Sequence, residues 1–505
     1  MYVTIRALLA LLAGALYPLA FAPIDLTGMV VVSLCGLLLL WEGRSAREAA
    51  WLGWLWGVAA FGIGTSWVHV AIHVYGNAPL WLSMLLTVGF VAILALYPAL
   101  LGWCLQRFFT DRRAQRLAII PLWVIGEYLR GHLFSGFPWM FAGYSQTDTV
   151  LKFIAPIAGV YGISLLLISL AVLAIMAGHE FVRERHPLWK TATFAMLFVA
   201  LALPWWRWNT PVVTDQEDSV SVALVQANIE QSVRWQPERF EQTKNEYLAL
   251  TEPLIGRADL VIWPEGAIPS FANYLNDYFQ PLHDRALDNN TSLIFGMAVI
   301  DPDQRYYNSV IGMGHGRGRY DKRQLVPFGE YVPFEKLLRG LLAFFNLPMS
   351  GFTEGREASL LYTPKAAIAA AICYEIAYPE LVRDNVASMQ QQKGFLLTVS
   401  NDAWFGRSLG PAQHLQIARM RALENELALV RSTITGITAV TDQFGQIQSQ
   451  LPPFDVGVLK TRVSLHTSSS LWQRFGLWPV AIICLLLLGV AGAVNRLKNH
   501  SKTPE

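Results

Sequence analysis

Seven apolar stretches crowd the first 206 residues, near 5–22, 25–41, 48–72, 79–107, 115–133, 158–178 and 190–206, and an eighth lies near 474–495. A helix needs about 20 predominantly apolar residues to cross a bilayer, so this pattern predicts about eight transmembrane helices. Between the seventh and the eighth stand some 260 residues of ordinary globular composition, about the length of one large domain. The expected organisation is a membrane domain over 1–209, a globular domain over 210–470, and a last helix with a short tail over 471–505. Composition agrees, with 53% hydrophobic and only 15% charged residues, where soluble domains carry about 25% charged. The net charge of +2, without a basic tail or a Gly-rich phosphate loop, gives no reason to expect a nucleic-acid partner.

The loops set the orientation. Arg44 and Arg47 follow the second stretch, Arg107, Arg112, Arg113 and Arg116 the fourth, and Arg183, Arg185 and Lys190 the sixth. The intervening loops at 22–25 and 73–79 carry no Lys or Arg. Positive charge favours the cytoplasmic side, which places both termini inside and 210–470 outside, in a bacterium on the periplasmic face of the inner membrane. Cys35, Cys104 and Cys484 lie in apolar stretches, leaving Cys373 alone in the exported part. A lone thiol in an oxidising compartment is a liability unless it is deeply buried or used.

Within 210–470 the patterning predicts strands at 219–226, 260–263, 292–299, around 307–311, at 366–373, 395–400 and 434–441, with helices at 237–255 and 411–430. Alternating strands and helices give a layered α/β domain. Three strand ends or loops carry chemistry. Leu260-Val261-Ile262-Trp263 runs into Pro264-Glu265-Gly266, a carboxylate on a fixed turn. Tyr320-Asp321-Lys322 opens an ordered Pro- and Gly-containing loop that also presents Glu330. Ala369-Ala370-Ala371-Ile372 delivers Cys373, followed by Tyr374 and Glu375. Taken singly, a loop Glu, a loop Lys and a buried Cys are ordinary surface or core residues. Together they supply what acyl transfer through a thioester requires: a nucleophile, a base for its proton, and a cation for the oxyanion. Glu330 is expected to hold the lysine charged and oriented, or to assist proton transfer.

Trp263-Pro264-Glu265, the Lys322 loop and Cys373-Tyr374-Glu375 resemble the Glu–Lys–Cys triad of the nitrilase superfamily. Joined to the apolar stretches, the whole chain resembles the apolipoprotein N-acyltransferases. Gly136-Phe137-Pro138-Trp139, Leu325-Val326-Pro327-Phe328-Gly329-Glu330 and Ser400-Asn401-Asp402-Ala403-Trp404-Phe405-Gly406 add to the likeness. The resemblance implies an α-β-β-α sandwich behind the membrane helices and an acyltransferase of the last step of bacterial lipoprotein maturation. In that step an acyl chain passes from sn-1 of a phospholipid, preferably phosphatidylethanolamine, to the cysteine sulfur. It then passes to the α-amine of a diacylglyceryl-cysteine at the N-terminus of an apolipoprotein. The resemblance implies no metal or other cofactor and makes Glu265 the general base, Lys322 the oxyanion partner and Glu330 their support. Tyr374 and Glu375 would flank the nucleophile, and Trp235 would lie near the substrate entrance. The chain is expected to act as a monomer.

Other readings stand beside this one. A membrane-anchored amidase would pass the acyl group to water, and a silent receptor or transporter would only bind. Trp404 and Phe405 read equally as a mobile apolar lip or as an ordinary core pair. In the fifth stretch Glu127 and Arg130 share a helix face. They would either hold a lipid headgroup or form a mutual ion pair with the arginine snorkelling outward, which is slightly favoured. His69 and His73, without further ligands, make a poor metal site.

Overall fold

The computed structural model describes residues 2–76, 78–181, 218–234, 236–327, 329–331 and 351–500. They fall into two units: Met1–Ser66, Met84–Pro211 and Arg474–Glu505 form the first, and Trp67–Ser83 with Val212–Gln473 the second.

In the helical unit, length separates spans from shorter helices. Among the described residues four helices are long and apolar enough to cross a membrane: Leu80–Phe108, Arg112–Ser135, Val150–His179 and Trp478–Lys498. A fifth exists if Ala46–Gly64 and Val68–Val74 are taken as one broken span. The two leading apolar helices, Thr4–Ala20 and Met29–Trp41, are shorter, and the stretch at 190–206 lies outside the described residues. Of the eight expected spans, four or five are therefore long enough among the described residues. Thr65 ends the Ala46–Gly64 helix, its N–H and hydroxyl both donating to Phe61 O at 2.8 and 2.7 Å. Small residues bring these helices together, as is usual where lipid gives no hydrophobic drive between them. A Cβ on Gly53 would lie 2.6 Å from Pro98 O.

Glu127 and Arg130 are each 4% exposed, so neither snorkels. Arg130 donates to the carbonyls of Phe137 (3.2 Å), Trp139 and Met140 (3.4 Å), with its guanidinium against the Phe61 and Phe141 rings. Glu127 accepts from Ala142 N at 2.7 Å and Trp123 Nε1 at 3.2 Å. The pair fastens the irregular backbone after Arg112–His132, where unsatisfied carbonyls away from water would be costly.

Alternation builds the second unit. Strand β1 (Ser219–Gln226) runs parallel to β2 (Leu260–Ile262) and β2 to β3 (Ser292–Ile300). Antiparallel β4 (Tyr306–Gly314) and β5 (Arg319–Asp321) extend this sheet. The other sheet uses β6 (Leu360–Tyr362), β7 (Ala367–Ile372), β8 (Gly394–Ser400), β9 (Leu429–Thr433), β10 (Ala439–Thr441) and β11 (Ile447–Gln450). Strand β12 (Gly457–Ser464) returns to the first sheet, pairing antiparallel with β1 from Ser219↔Ser464 to Gln226↔Gly457. The two orders are β12-β1-β2-β3-β4-β5 and β11-β10-β9-β8-β7-β6.

Between the sheets, Val220, Val222, Leu224, Ile262 and Ile294 meet Ile368, Ala370, Ile372 and Val399. The opposite parity faces helices. Val225, Val261 and Phe295 pack under Tyr247 of Pro237–Thr251 and Phe279 of Asn276–Asp288. Ala367, Ala369 and Ala371 pack under Val382 of Pro379–Ala387 and Ala418 and Ala422 of Gly410–Asn425. The result is the α-β-β-α order implied by the resemblance. One expected boundary is wrong. The helix predicted to 430 ends at Asn425 because Glu426 turns left-handed (φ +52). The apolar run that follows is β9, and the expected 434–441 strand is a turn leading into β10. A strand buried on both faces shows no alternation to separate it from a helix.

Candidate active site

Ends of strands from both sheets supply the polar groups. Strand β2 leads into Trp263-Pro264-Glu265, and this turn lies directly on β3 at Gly296. A Cβ there would come within 2.5 Å of Pro264 O, so only glycine admits the turn. Ala267 N donates to Gly296 O at 3.0 Å and fixes it. Glu265, 9% exposed, accepts from Asn308 Nδ2 and Asn401 N, each at 2.8 Å, and from Lys322 Nζ at 3.4 Å. Its charge also acts on the Cys373 thiol. Burial would raise its pKa, but the Lys322 charge and these donors hold the carboxyl below its ordinary value. Glu265 is therefore ionised at neutral pH.

Lys322 follows β5, its N–H donating to Asn308 O at 2.8 Å. Its ammonium, 1% exposed, donates to Glu330 Oε1 at 2.9 Å as well as to Glu265. Burial disfavours its charge, yet Glu330 and then Glu265 outweigh that and raise its pKa. Glu330 also accepts from Asn308 Nδ2 at 2.9 Å and Val326 N at 2.8 Å. Two carboxylates thus share one ammonium and one amide.

Cys373 ends β7 and opens a 3₁₀ turn, Cys373–Ala377. Its φ of +54 is left-handed, a strain of about 1–3 kcal/mol for a residue with a Cβ. Burial first, and then the Glu265 charge, push the thiol pKa up, against the pull of Lys322. The sulfur is protonated at rest, so only a base beside it would make a thiolate. Glu375, fully buried, binds the pieces together. It accepts from Ile372 N (2.6 Å), Arg323 N (2.5 Å), Gln324 N (3.0 Å) and the Tyr320 hydroxyl (3.1 Å). One carboxylate ties the Lys322 loop to the Cys373 turn. Burial pushes it up to about 7 against those donors.

Of the remaining sequence-predicted residues, Tyr374 is half-buried after Cys373, and Tyr378 takes its ring edge-on at 5.4 Å. Trp404 is half-buried. Phe405 is buried, with Trp67 edge-on at 4.6 Å and His414 at 5.5 Å. Trp235 lies outside the described residues. Sequence reasoning missed Asn308, which bridges both carboxylates. Its signal was an amide in the middle of a strand otherwise apolar or small. It also missed Asp402, His414 and Arg431, gathered behind Cys373. The arrangement can deprotonate a thiol and stabilise negative charge on a carbonyl oxygen beside it.

Two family descriptions match. Residues 13–173 match the apolipoprotein N-acyltransferase N-terminal domain, and residues 221–472 match carbon-nitrogen hydrolase. An apolipoprotein N-acyltransferase of Vibrio cholerae is 42% identical over 498 residues, covering 96% of each chain. One of Pseudomonas syringae is 41% identical over 97% of each. One of Azotobacter vinelandii is 40% identical over 98% of this chain and 96% of its own.

Proposed function

We propose a two-step acyl transfer through Cys373 for this chain, which belongs to the apolipoprotein N-acyltransferase family. The enzyme is a membrane-associated acyltransferase with lipid and lipoprotein substrates. The observation that carries the proposal is the buried Glu265 carboxylate, held by Lys322 Nζ at 3.4 Å and by Asn308 Nδ2 and Asn401 N at 2.8 Å, with its charge acting on the Cys373 thiol. As the sulfur attacks the sn-1 ester carbonyl of a phospholipid, phosphatidylethanolamine by preference, Glu265 takes the thiol proton. The tetrahedral oxyanion faces the Lys322 ammonium and the Tyr374 N–H. Collapse breaks the ester C–O bond, Glu265 returns its proton to the glycerol oxygen, and lysophospholipid leaves. The α-amine of a diacylglyceryl-cysteine then attacks the thioester. Glu265 takes the amine proton and returns it to the departing sulfur, leaving an amide and the original thiol. Atoms balance without a cofactor. The Arg and Lys distribution of the loops supports a catalytic part on the periplasmic side of the inner membrane.

The test is intact-protein mass spectrometry after incubation with phosphatidylethanolamine alone. One acyl mass on Cys373, discharged by a diacylglyceryl-cysteine peptide and not by water, is expected. Cys373→Ala should form no adduct. Discharge by water at the same rate would make the protein an amidase, and persistence of the adduct in Cys373→Ala would remove the nucleophile.

A further inference from the structure

The two-step reaction gives no task to the polar cluster behind the nucleophile. Asp402, His414 and Arg431 are 1%, 0% and 0% exposed. Asp402 lies in the turn after β8, His414 in the Gly410–Asn425 helix and Arg431 in β9. Arg431 Nη2 donates to Asp402 Oδ2 at 2.6 Å, and Ser400 Oγ donates to Asp402 Oδ1 at 2.7 Å. His414 Nδ1 lies 3.0 Å from Asp402 Oδ1 and 3.1 Å from Arg431 Nη2. Its other nitrogen, Nε2, lies 3.2 Å from the backbone carbonyl of Cys373. Phe405 closes on the ring edge-on.

The tautomer follows from the partners. Nδ1 faces both an acceptor and a donor, so it is satisfied with or without a proton. Nε2 faces a carbonyl oxygen, which can only accept. The ring therefore carries a proton on Nε2, whatever the state of Nδ1. That bond grips the peptide between Cys373 and Tyr374, directly after the left-handed residue. The peptide is planar, and in the trans form its C=O and N–H point in opposite directions. Anchoring the carbonyl on the His414 side turns the Tyr374 N–H to the other side.

We infer that His414, held by Asp402 and Arg431, is a positioning residue that locks the Cys373–Tyr374 peptide plane and so aims the Tyr374 N–H at the oxygen of the acyl group on Cys373. The residue touches neither substrate nor sulfur and acts through the backbone. The inference rests on the reading of Cys373 as the acylated nucleophile.

Two substitutions of similar length separate the hydrogen bond from packing: His414→Gln keeps a donor for the carbonyl, and His414→Met removes it. Two rates are measured in the full-length protein at neutral pH. One is acylation of Cys373 by saturating phosphatidylethanolamine, and the other is alkylation of Cys373 by iodoacetamide, which forms no oxyanion. His414→Met should lower acylation about 10- to 100-fold, leave half-saturation by lipid unchanged and keep alkylation within about twofold of the wild type. His414→Gln should stay within about threefold in both. Equal falls in acylation and alkylation would overturn the inference, because the ring would then place the thiol and not the peptide plane. Acylation at the wild-type rate in His414→Met would overturn it as well. If His414→Met does not fold, His414→Gln decides alone: acylation near the wild-type rate supports the inference, and a fall beyond about 30-fold overturns it. A wild type that alkylates but never acylates overturns the functional reading and this inference together, whereas an acylating wild type matched by His414→Met overturns only the inference.

Discussion

In the helical unit Arg130 gives its guanidinium to three backbone carbonyls and Glu127 takes a backbone N–H. In the sandwich Lys322 gives its ammonium to two carboxylates. Both sets are buried, yet only the second leaves charge in excess, two carboxylates against one ammonium. Charge matched to backbone groups fastens a loop. Charge matched unevenly to other charge leaves a base that can accept a proton, and the thiol beside it carries one. Burial of ionisable groups does not by itself mark a reactive site; what their partners are decides it.

The sharpest way to break this contrast is Glu265→Gln, which keeps the shape and removes the base. Acylation of Cys373 should fall about 10³-fold or more, read as the rate of adduct formation by mass spectrometry. An unchanged rate would assign the proton to another group. Lys322→Met comes next, with an expected loss of about 10²- to 10³-fold. It also leaves Glu265 and Glu330 sharing Asn308 without a cation. The Glu265 pKa, now held down by Lys322, must rise, so the acid limb of the residual pH–rate profile should move to higher pH. A limb that stays in place would show that the ammonium does not set the state of the base. Arg130→Met should affect catalysis least. It strips donors from three buried carbonyls and should lower stability by about 3–5 kcal/mol, seen in thermal unfolding in detergent. Adduct formation per folded molecule should stay within about twofold. A selective catalytic loss there would erase the difference between the two regions.

How much of this was legible depended on local contrast. Glu265 and Cys373 stood out because short apolar runs end abruptly in them, and Lys322 because Pro and Gly order its loop. Asn308 sits inside a strand, where one polar side chain is ordinarily read as the solvent side of an alternation, and Arg431 sits in β9, which the patterning does not show as a strand. His414 was hidden by its helix. Gly410–Asn425 is buried along nearly its whole length, so it lacks the two-faced pattern that would make an inward His conspicuous. The same loss of contrast merged β9 into the helix before it. Apolar length alone does not register where a helix breaks, as at Thr65, or stops short, as at Trp41.

Strand β12 has a consequence in time. It pairs with β1 along eight residues, joining Ser219 to Ser464 across almost the whole domain. Until the chain is made as far as residue 464, β1 keeps an open edge and the first sheet, which carries Glu265 and Lys322, is incomplete. Pairings so distant in sequence form late, because loop-closure entropy must be overcome before any contact rewards it. Glu265 and Lys322 therefore reach Cys373 only in a nearly finished molecule. The three side chains share one site only once the final strand is in place.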